Sequence, residues 1–241
     1  MRIGVIGTGT IAGAVVRGIA GDGHQITVSE RSAAVSAELA GAFDTVSVAP
    51  NQTVLEQSDV IFLGLMAEAA PSILAPLVFR ADQQVISFMA GIDPEQLQAL
   101  VAPAQAAAVM MPFPGIARGG SAIMALGDID LVKAIFGARN TVFALSDTAE
   151  LDAYICAQAV LSPVARMVGD AADWLGTRVS DPAQGEAFLR MLVASSLADT
   201  GCTDLIEALN TPGGYNQRLR QHMEAAGQTG DLRSGLDGLL R

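Results

Sequence analysis

The stretch from Met1 to Gly21, MRIGVIGTGTIAGAVVRGIAG, constrains the fold more than any other part of the chain. Ile3, Val5 and Ile6 form a short apolar run, Gly7, Gly9 and Ala12 follow at G-x-G-x-x-A spacing, and Val15, Val16 and Ile19 continue with helical period. That order predicts a strand, a tight turn and a helix. Gly7 then permits the turn, Gly9 lets the backbone approach a pyrophosphate, and Ala12 allows close packing while the first helical N–H groups, around Thr10 and Ile11, face the anion. The flanking strand and helix favour a dinucleotide site over an ordinary glycine turn.

A second strand is expected at Gln25 to Ser29, followed by Glu30, Arg31 and Ser32. The end of this strand lies about 20 residues past the glycines, where such a fold meets the adenosine ribose. Glu30 there suits the 2′-hydroxyl of NAD. Arg31 and Ser32 together suit the 2′-phosphate of NADP, with Glu30 turned to solvent. The expected cofactor is NADP, with NAD the alternative.

Strand and helix patterns continue to alternate. Strands are expected at Thr45 to Val48, Asp59 to Leu65, Gln84 to Phe88, Ala106 to Met110, Ala122 to Leu126 and Thr141 to Leu145. Helices are expected at Asn51 to Gln57, at Pro71 to Phe79, after Asp93 with Pro94, and at Ile129 to Phe136. DVIFLGL, at Asp59 to Leu65, is nearly all apolar and fits a strand covered on both faces of a parallel sheet. Beyond Thr148 the period changes to three to five residues, from Leu151 through Leu175 and again from Glu186 to Leu197, with a kink expected at Pro163. The fold class is therefore α/β: a doubly wound sheet over residues 1–147, then an all-helical unit over 148–241. Leu189, Met191, Leu192, Val193 and Leu197 make its helices apolar over wide faces, which points to a homodimer, at the least, through this unit.

Composition narrows the function. The net charge is −11, and both parts of the chain are acidic without a basic tract, which argues against nucleic acid. An anionic cofactor must be held by local features. Lys133 is the single lysine, which leaves little scope for Schiff-base chemistry. Cys156 and Cys202 have no metal-like spacing and read as small buried apolar residues, and no metal site is expected. No apolar run has the length of a membrane span, so a soluble cytoplasmic protein is expected. His24 and His222 read as surface or packing residues.

Late in the helical part lies a second glycine segment, Asn210-Thr211-Pro212-Gly213-Gly214-Tyr215-Asn216. Thr211 is expected as N-cap and Pro212 as the first helical residue, with the glycines exposing N–H groups as a cradle for a carboxylate. A plain helix start is the equal alternative.

With both glycine segments placed, the chain resembles the pyrroline-5-carboxylate reductase family over nearly its whole length. The resemblance rests on GTGTIA, DVIFLGL, VISFMAGI before a helix, Met111-Pro112 with a second proline close by, ALS before the helical region, and TPGG in place of the family's S-P-G-G-T-T. It implies a Rossmann domain and a helical domain interlocking two subunits. It also implies an enzyme that reduces a cyclic imine, 1-pyrroline-5-carboxylate, to proline with NAD(P)H. Carried over, Thr211, Gly213, Gly214 and Tyr215 would bind the substrate, and Asp199 and Asn216 would face the imine nitrogen. Met66 and Pro112 would join Gly7, Gly9, Thr10, Ile11, Ala12, Arg31 and Ser32 around the cofactor.

Four motifs depart from the family. Tyr215 and Asn216 replace two threonines, and Gly64-Leu65-Met66-Ala67 lacks the lysine of A-V-K-P. Met111-Pro112-Phe113-Pro114 lacks an asparagine, and the segment from Thr148 to Tyr154 lacks the glycines of S-G-S-G-P-A-Y. Two other readings therefore stand beside the imine reductase: an NADP-dependent oxidoreductase with another acceptor, such as a carbonyl or a deazaflavin, and a nucleotide-binding regulatory protein that has lost catalysis.

Overall fold

A computed structural model describes residues 1–240 and divides the chain into two compact units, Met1–Leu151 and the part from Asp152 onwards. The first unit opens with β1 (Arg2–Ile6), α1 (Thr10–Ile19), β2 (Gln25–Ser29), α2 (Ala33–Ala42), β3 (Val46–Ala49), α3 (Asn51–Glu56) and β4 (Val60–Leu63). It continues with α4 (Ala70–Leu74), β5 (Gln84–Ser87), α5 (Pro94–Val101), β6 (Gln105–Pro112), a 3₁₀ turn (Pro114–Ala117), β7 (Ala122–Gly127), α6 (Ile129–Phe136) and β8 (Thr141–Leu145). The eight strands form one sheet in the order β3-β2-β1-β4-β5-β6-β7-β8.

The order reverses between β1 and β4, both parallel to their neighbours, and this opens a crevice beyond their C-terminal ends. β4 is buried along its whole length, as its apolar run requires in a sheet covered on both faces. Phe62 on β4 stacks at tilted angles on Phe88, 5.2 Å away, and on Phe136, 5.8 Å away. α1 is buried from Ala12 to Val16 and again at Gly18 and Ile19. Gly18 is required there, because a Cβ at this position would lie 2.5 Å from the Ile116 carbonyl oxygen in the 3₁₀ turn.

One feature of this unit lies outside the sequence reading and one departs from it. β7 runs antiparallel to β6, because the short connection between them holds only a 3₁₀ turn and no crossover helix. Parallel pairing resumes at β8, after α6 supplies a crossover. The helix expected at Pro71 to Phe79 stops at Leu74 with Ala75 as its C-cap, since Pro76 has no N–H to continue the ladder. Asp93 does cap α5, its carboxylate accepting from Glu95 N at 2.8 Å.

α7 (Thr148–Ala157) carries the chain into the second unit, which holds α8 (Leu161–Gly176), α9 (Pro182–Asp199), α10 (Cys202–Ala208), α11 (Tyr215–Ala225) and α12 (Gln228–Leu239). The long helix expected around Pro163 is interrupted by a 3₁₀ segment, Gln158–Val160. Pro163 has no N–H and crowds the carbonyl of Ala159, so the α ladder restarts just before it. Among residues 152–240, Ala172 is the one buried residue. Cys202 is exposed and Cys156 half-buried, contrary to the expected burial of both, because they belong to a unit that encloses almost no core of its own.

Candidate functional site

The crevice beyond β1 and β4 is a cleft of about 470 Å³. Gly7, Gly9, Thr10, Ile11, Ala12, Arg31, Ser32 and Met66 all line it, as the sequence reading placed them. Pro112 does not line it: it is buried at the end of β6. Thr8, Gly64, Leu65, Ala67, Glu68, Phe88 and Ala90 complete the wall. None of these was expected at the cofactor, although Gly64, Leu65 and Ala67 belong to a motif that departs from the family. Gly64 carried a readable signal, since a glycine ending a buried apolar strand marks a close approach.

Gly7 has φ of +89°, the left-handed region that favours glycine. A Cβ on Gly7 would also lie 2.5 Å from the Gly64 carbonyl oxygen. Gly9 is different: a Cβ there would meet nothing within 4 Å, so its bare Cα faces the cleft. Gly9 is also the N-cap of α1 and offers no side-chain acceptor. α5, α6 and α9 are each capped by an aspartate, whereas the N–H groups at the start of α1 are left for an external acceptor. No acidic side chain occupies the first turn of α1, so nothing there opposes an anion.

Across the cleft, Arg31 makes no ion pair among the described residues, and Ser32 holds φ of +66°, unusual for a residue with a side chain. Glu30 is exposed and is not part of the cleft wall. The turn is tied down from below by three buried hydroxyls, on Thr8, Ser29 and Ser36, that sequence reading did not find. Gly7 N donates to Ser29 Oγ at 2.9 Å, Ser36 Oγ donates to the Ser29 carbonyl at 2.7 Å, and Thr8 Oγ1 donates to the Arg31 carbonyl. These residues fit a dinucleotide: an open glycine Cα, uncapped helical donors and an unpaired guanidinium surround one cleft.

The second glycine segment differs from its expected form. α11 begins at Tyr215 with Gly214 as N-cap, so Thr211 is not the cap and Pro212 is not the first helical residue. Thr211 to Gly214 is instead a turn with Pro212 second and Gly213 third, at φ of +75°, closed by Gly214 N donating to the Thr211 carbonyl at 2.9 Å. This is type II geometry, which glycine at the third position dictates. Gly213 N donates to Gln217 Oε1 at 2.8 Å. Neither glycine N–H is therefore exposed as a cradle, and the unclaimed donors move to the first turn of α11, at Tyr215 and Asn216. Gln217 Nε2 and an Arg220 guanidinium nitrogen both reach Asn210 Oδ1, at 3.1 and 2.8 Å, which fixes the turn.

Tyr215 is nearly fully exposed, and Asn216 borders a small groove with Met167 and Leu219. Asp199, the last residue of α9, is exposed and makes no hydrogen bond or ion pair among the described residues. His222 is exposed and His24 is buried beside the Met1 amino group, so neither belongs to the cleft. Among the described residues no group of histidine, cysteine or carboxylate side chains could hold a metal ion, and no helix is long and apolar enough to cross a membrane.

Residues 2–91 match the family described as NADP oxidoreductase, coenzyme F420-dependent. The pyrroline-5-carboxylate reductase of Pseudomonas aeruginosa is 27% identical over 165 residues, which cover 63% of this chain and 60% of that protein's length. Less than two thirds of that relative is thus spanned. Among solved structures, 1-pyrroline-5-carboxylate reductase from Streptococcus pyogenes is similar with a TM-score of 0.85 at 22% identity, over 100% of this chain and 96% of that one. Plasmodium falciparum pyrroline carboxylate reductase, solved with NADP bound, gives 0.82 at 14% identity, over 100% and 95%. At those identities the likeness establishes the fold.

Proposed function

We propose that the chain is a diverged member of the pyrroline-5-carboxylate reductase family and that it transfers a hydride from NADPH to the C=N bond of a small cyclic imine carboxylate. The type compound is 1-pyrroline-5-carboxylate, whose reduction forms proline. The observation that supports this reading most is the cleft itself, where uncapped α1 donors and the Arg31–Ser32 turn offer places for a pyrophosphate and for a 2′-phosphate.

The cofactor, when bound, supplies the hydride. The chain's own residues supply placement. Gly9 with the Thr10, Ile11 and Ala12 N–H groups would hold the pyrophosphate, Arg31 and Ser32 the 2′-phosphate, and Met66 would border the nicotinamide end. Arg31 favours NADPH over NADH because a guanidinium pairs with a phosphate through two parallel hydrogen bonds and has no competing carboxylate here. The substrate carboxylate is assigned to the first-turn N–H groups of α11 at Tyr215 and Asn216, with the turn of Thr211, Gly213 and Gly214 holding them in place. Asp199 and Asn216 are assigned to the imine nitrogen, where a carboxylate stabilises the protonated iminium that accepts hydride. A homodimer through the helical unit is part of the proposal, since α8 to α12 leave Leu161, Trp174, Phe188 and Met191 on the surface.

The test is oxidation of NADPH and NADH against cyclic imines, including pyrroline-2- and 5-carboxylates and piperideine carboxylates. Turnover of at least one of them, faster with NADPH, is the expected result. The replacements at Tyr215, Asn216 and Met66 favour a second reading, a nucleotide-binding protein without catalysis. Tight NADPH binding with no turnover on any imine would select it. An unchanged rate in Asp199→Ala would remove that residue from the mechanism.

A further inference from the structure

We propose that Ser36, together with Thr8, positions the Arg31–Ser32 turn from beneath and so sets the choice between NADPH and NADH. The proposal rests on the reading of Arg31 and Ser32 as the 2′-phosphate site.

Ser36 lies on α2 with 1% of its surface exposed, and Thr8 and Ser29 are fully buried. Its hydroxyl donates to the Ser29 carbonyl at 2.7 Å, lies 2.7 Å from Thr8 Oγ1, and is 3.4 Å from the Arg31 carbonyl. Thr8 Oγ1 takes the Arg31 carbonyl as its acceptor. Two hydroxyl protons thus serve two carbonyls, Ser29 and Arg31, at the end of β2. The Arg31 carbonyl belongs to the same peptide plane as the Ser32 N–H. Anchoring that oxygen therefore fixes the direction in which the Arg31 and Ser32 side chains leave the chain.

That anchoring has a visible consequence. Ser32 holds φ of +66° and ψ of +53°, a region that residues other than glycine and asparagine avoid. No side-chain cap within α2 stabilises it. The hydroxyls below the turn provide the tether. Packing alone does not call for them: α2 is otherwise rich in alanine, at Ala33, Ala34, Ala37 and Ala40, and an alanine at 36 would fill the same apolar space. The same cluster also receives Gly7 N on Ser29 Oγ at 2.9 Å, so one network links the pyrophosphate turn to the 2′-phosphate turn.

The experiment compares NADPH and NADH affinity by fluorescence titration in the full chain and in Ser36→Ala. The loss of one buried hydrogen bond predicts that NADPH binding weakens about tenfold more than NADH binding. Thr8→Val should reproduce this split and Thr8→Ser should abolish it, which guards against a variant that merely folds poorly. Trypsin cleavage after Arg31, measured without cofactor, should be faster in Ser36→Ala and Thr8→Val than in the parent. Equal losses for the two cofactors, or a parental ratio with a parental cleavage rate, would overturn the proposal. A parent chain with no preference for NADPH would overturn the phosphate reading and the selection role with it, while the trypsin rates would still report whether the hydroxyls hold the turn.

Discussion

Gly7 and Gly64 face each other so closely that a Cβ on either would lie 2.5 Å from the carbonyl oxygen of the other. The two glycines directly follow β1 and β4, the strands on either side of the topological switch, so their contact sets the floor of the cleft. The obstructing atoms are backbone, which cannot rotate away. Gly64→Ala is therefore expected to destabilise the fold by about 1–3 kcal/mol, the range for overpacked sites, and to weaken NADPH binding as well. Denaturant unfolding and a cofactor titration on the same preparation check both.

Gly9→Ala separates binding from folding. A methyl group there meets nothing of the protein within 4 Å, so stability should change by less than about 0.5 kcal/mol, as for an uneventful surface substitution. The methyl would enter the space assigned to the pyrophosphate. An unchanged Tm with NADPH affinity lowered about tenfold or more is the expected pair of results. Unaltered affinity would move the pyrophosphate away from Gly9.

Arg31→Ala tests the cofactor choice directly. Arg31 has no acidic partner among the described residues, so its removal breaks no ion pair seen there and should leave Tm unaffected. A charged hydrogen-bonding pair is worth about 1.5–3 kcal/mol, which predicts about ten- to hundredfold weaker NADPH binding. NADH, which has no 2′-phosphate, should lose far less, and equal losses would refute the assignment.

Much of the nucleotide half was legible because its signals are local. The period and composition of β2, α6 and β8 set their bounds to the residue, and the Asp93-Pro94 pair marks the start of α5. The direction of β7 was not legible, since it depends on what the chain between β6 and β7 folds into rather than on β7 itself. Thr211-Pro212 misled because a threonine before a proline looks like a cap. The positive φ of Gly213 decides otherwise, by closing a type II turn and delaying the helix to Tyr215. The hydroxyls of Thr8 and Ser36 are 28 positions apart on different elements, so no window of sequence brings them together.

His24 gives the fold a pH dependence of predictable sign. Its imidazole is buried, which is the main reason its pKa lies below the ordinary 6.5; the nearby Met1 amino group lowers it further and Asp22 opposes both. The unfolded chain then binds the proton more readily than the folded one, so stability is full above about pH 6.5 and declines as pH falls through that value. Asp59, held below its ordinary value mainly by the hydrogen bond from Arg2, acts in the same direction only at lower pH, in the carboxylate range. Thermal melts at about pH 7.5 and about pH 5.5 should show a smaller drop for His24→Gln than for the parent. Equal drops would place the titration elsewhere.

The helical unit carries the prediction about assembly. On α9, Phe188, Met191 and Leu192 lie three and four residues apart on one face, with Met191 73% exposed, and Trp174 on α8 is 61% exposed. Apolar surface is worth about 25 cal/mol per Å² when removed from water, so several such side chains left wet are a large unclaimed stabilisation for a unit in which Ala172 is the one buried residue among 152–240. A second copy of the same face would claim it. Sedimentation equilibrium should give twice the 24.8 kDa of one chain, and Met191→Glu should shift the population to the single-chain mass and lower Tm. Trp174, the chain's single tryptophan, supplies an independent readout, because its fluorescence should move to the red if dissociation exposes it to water. A parent protein that sediments as one chain, with a melt unaffected by Met191→Glu, would show that the helices hold together on their own.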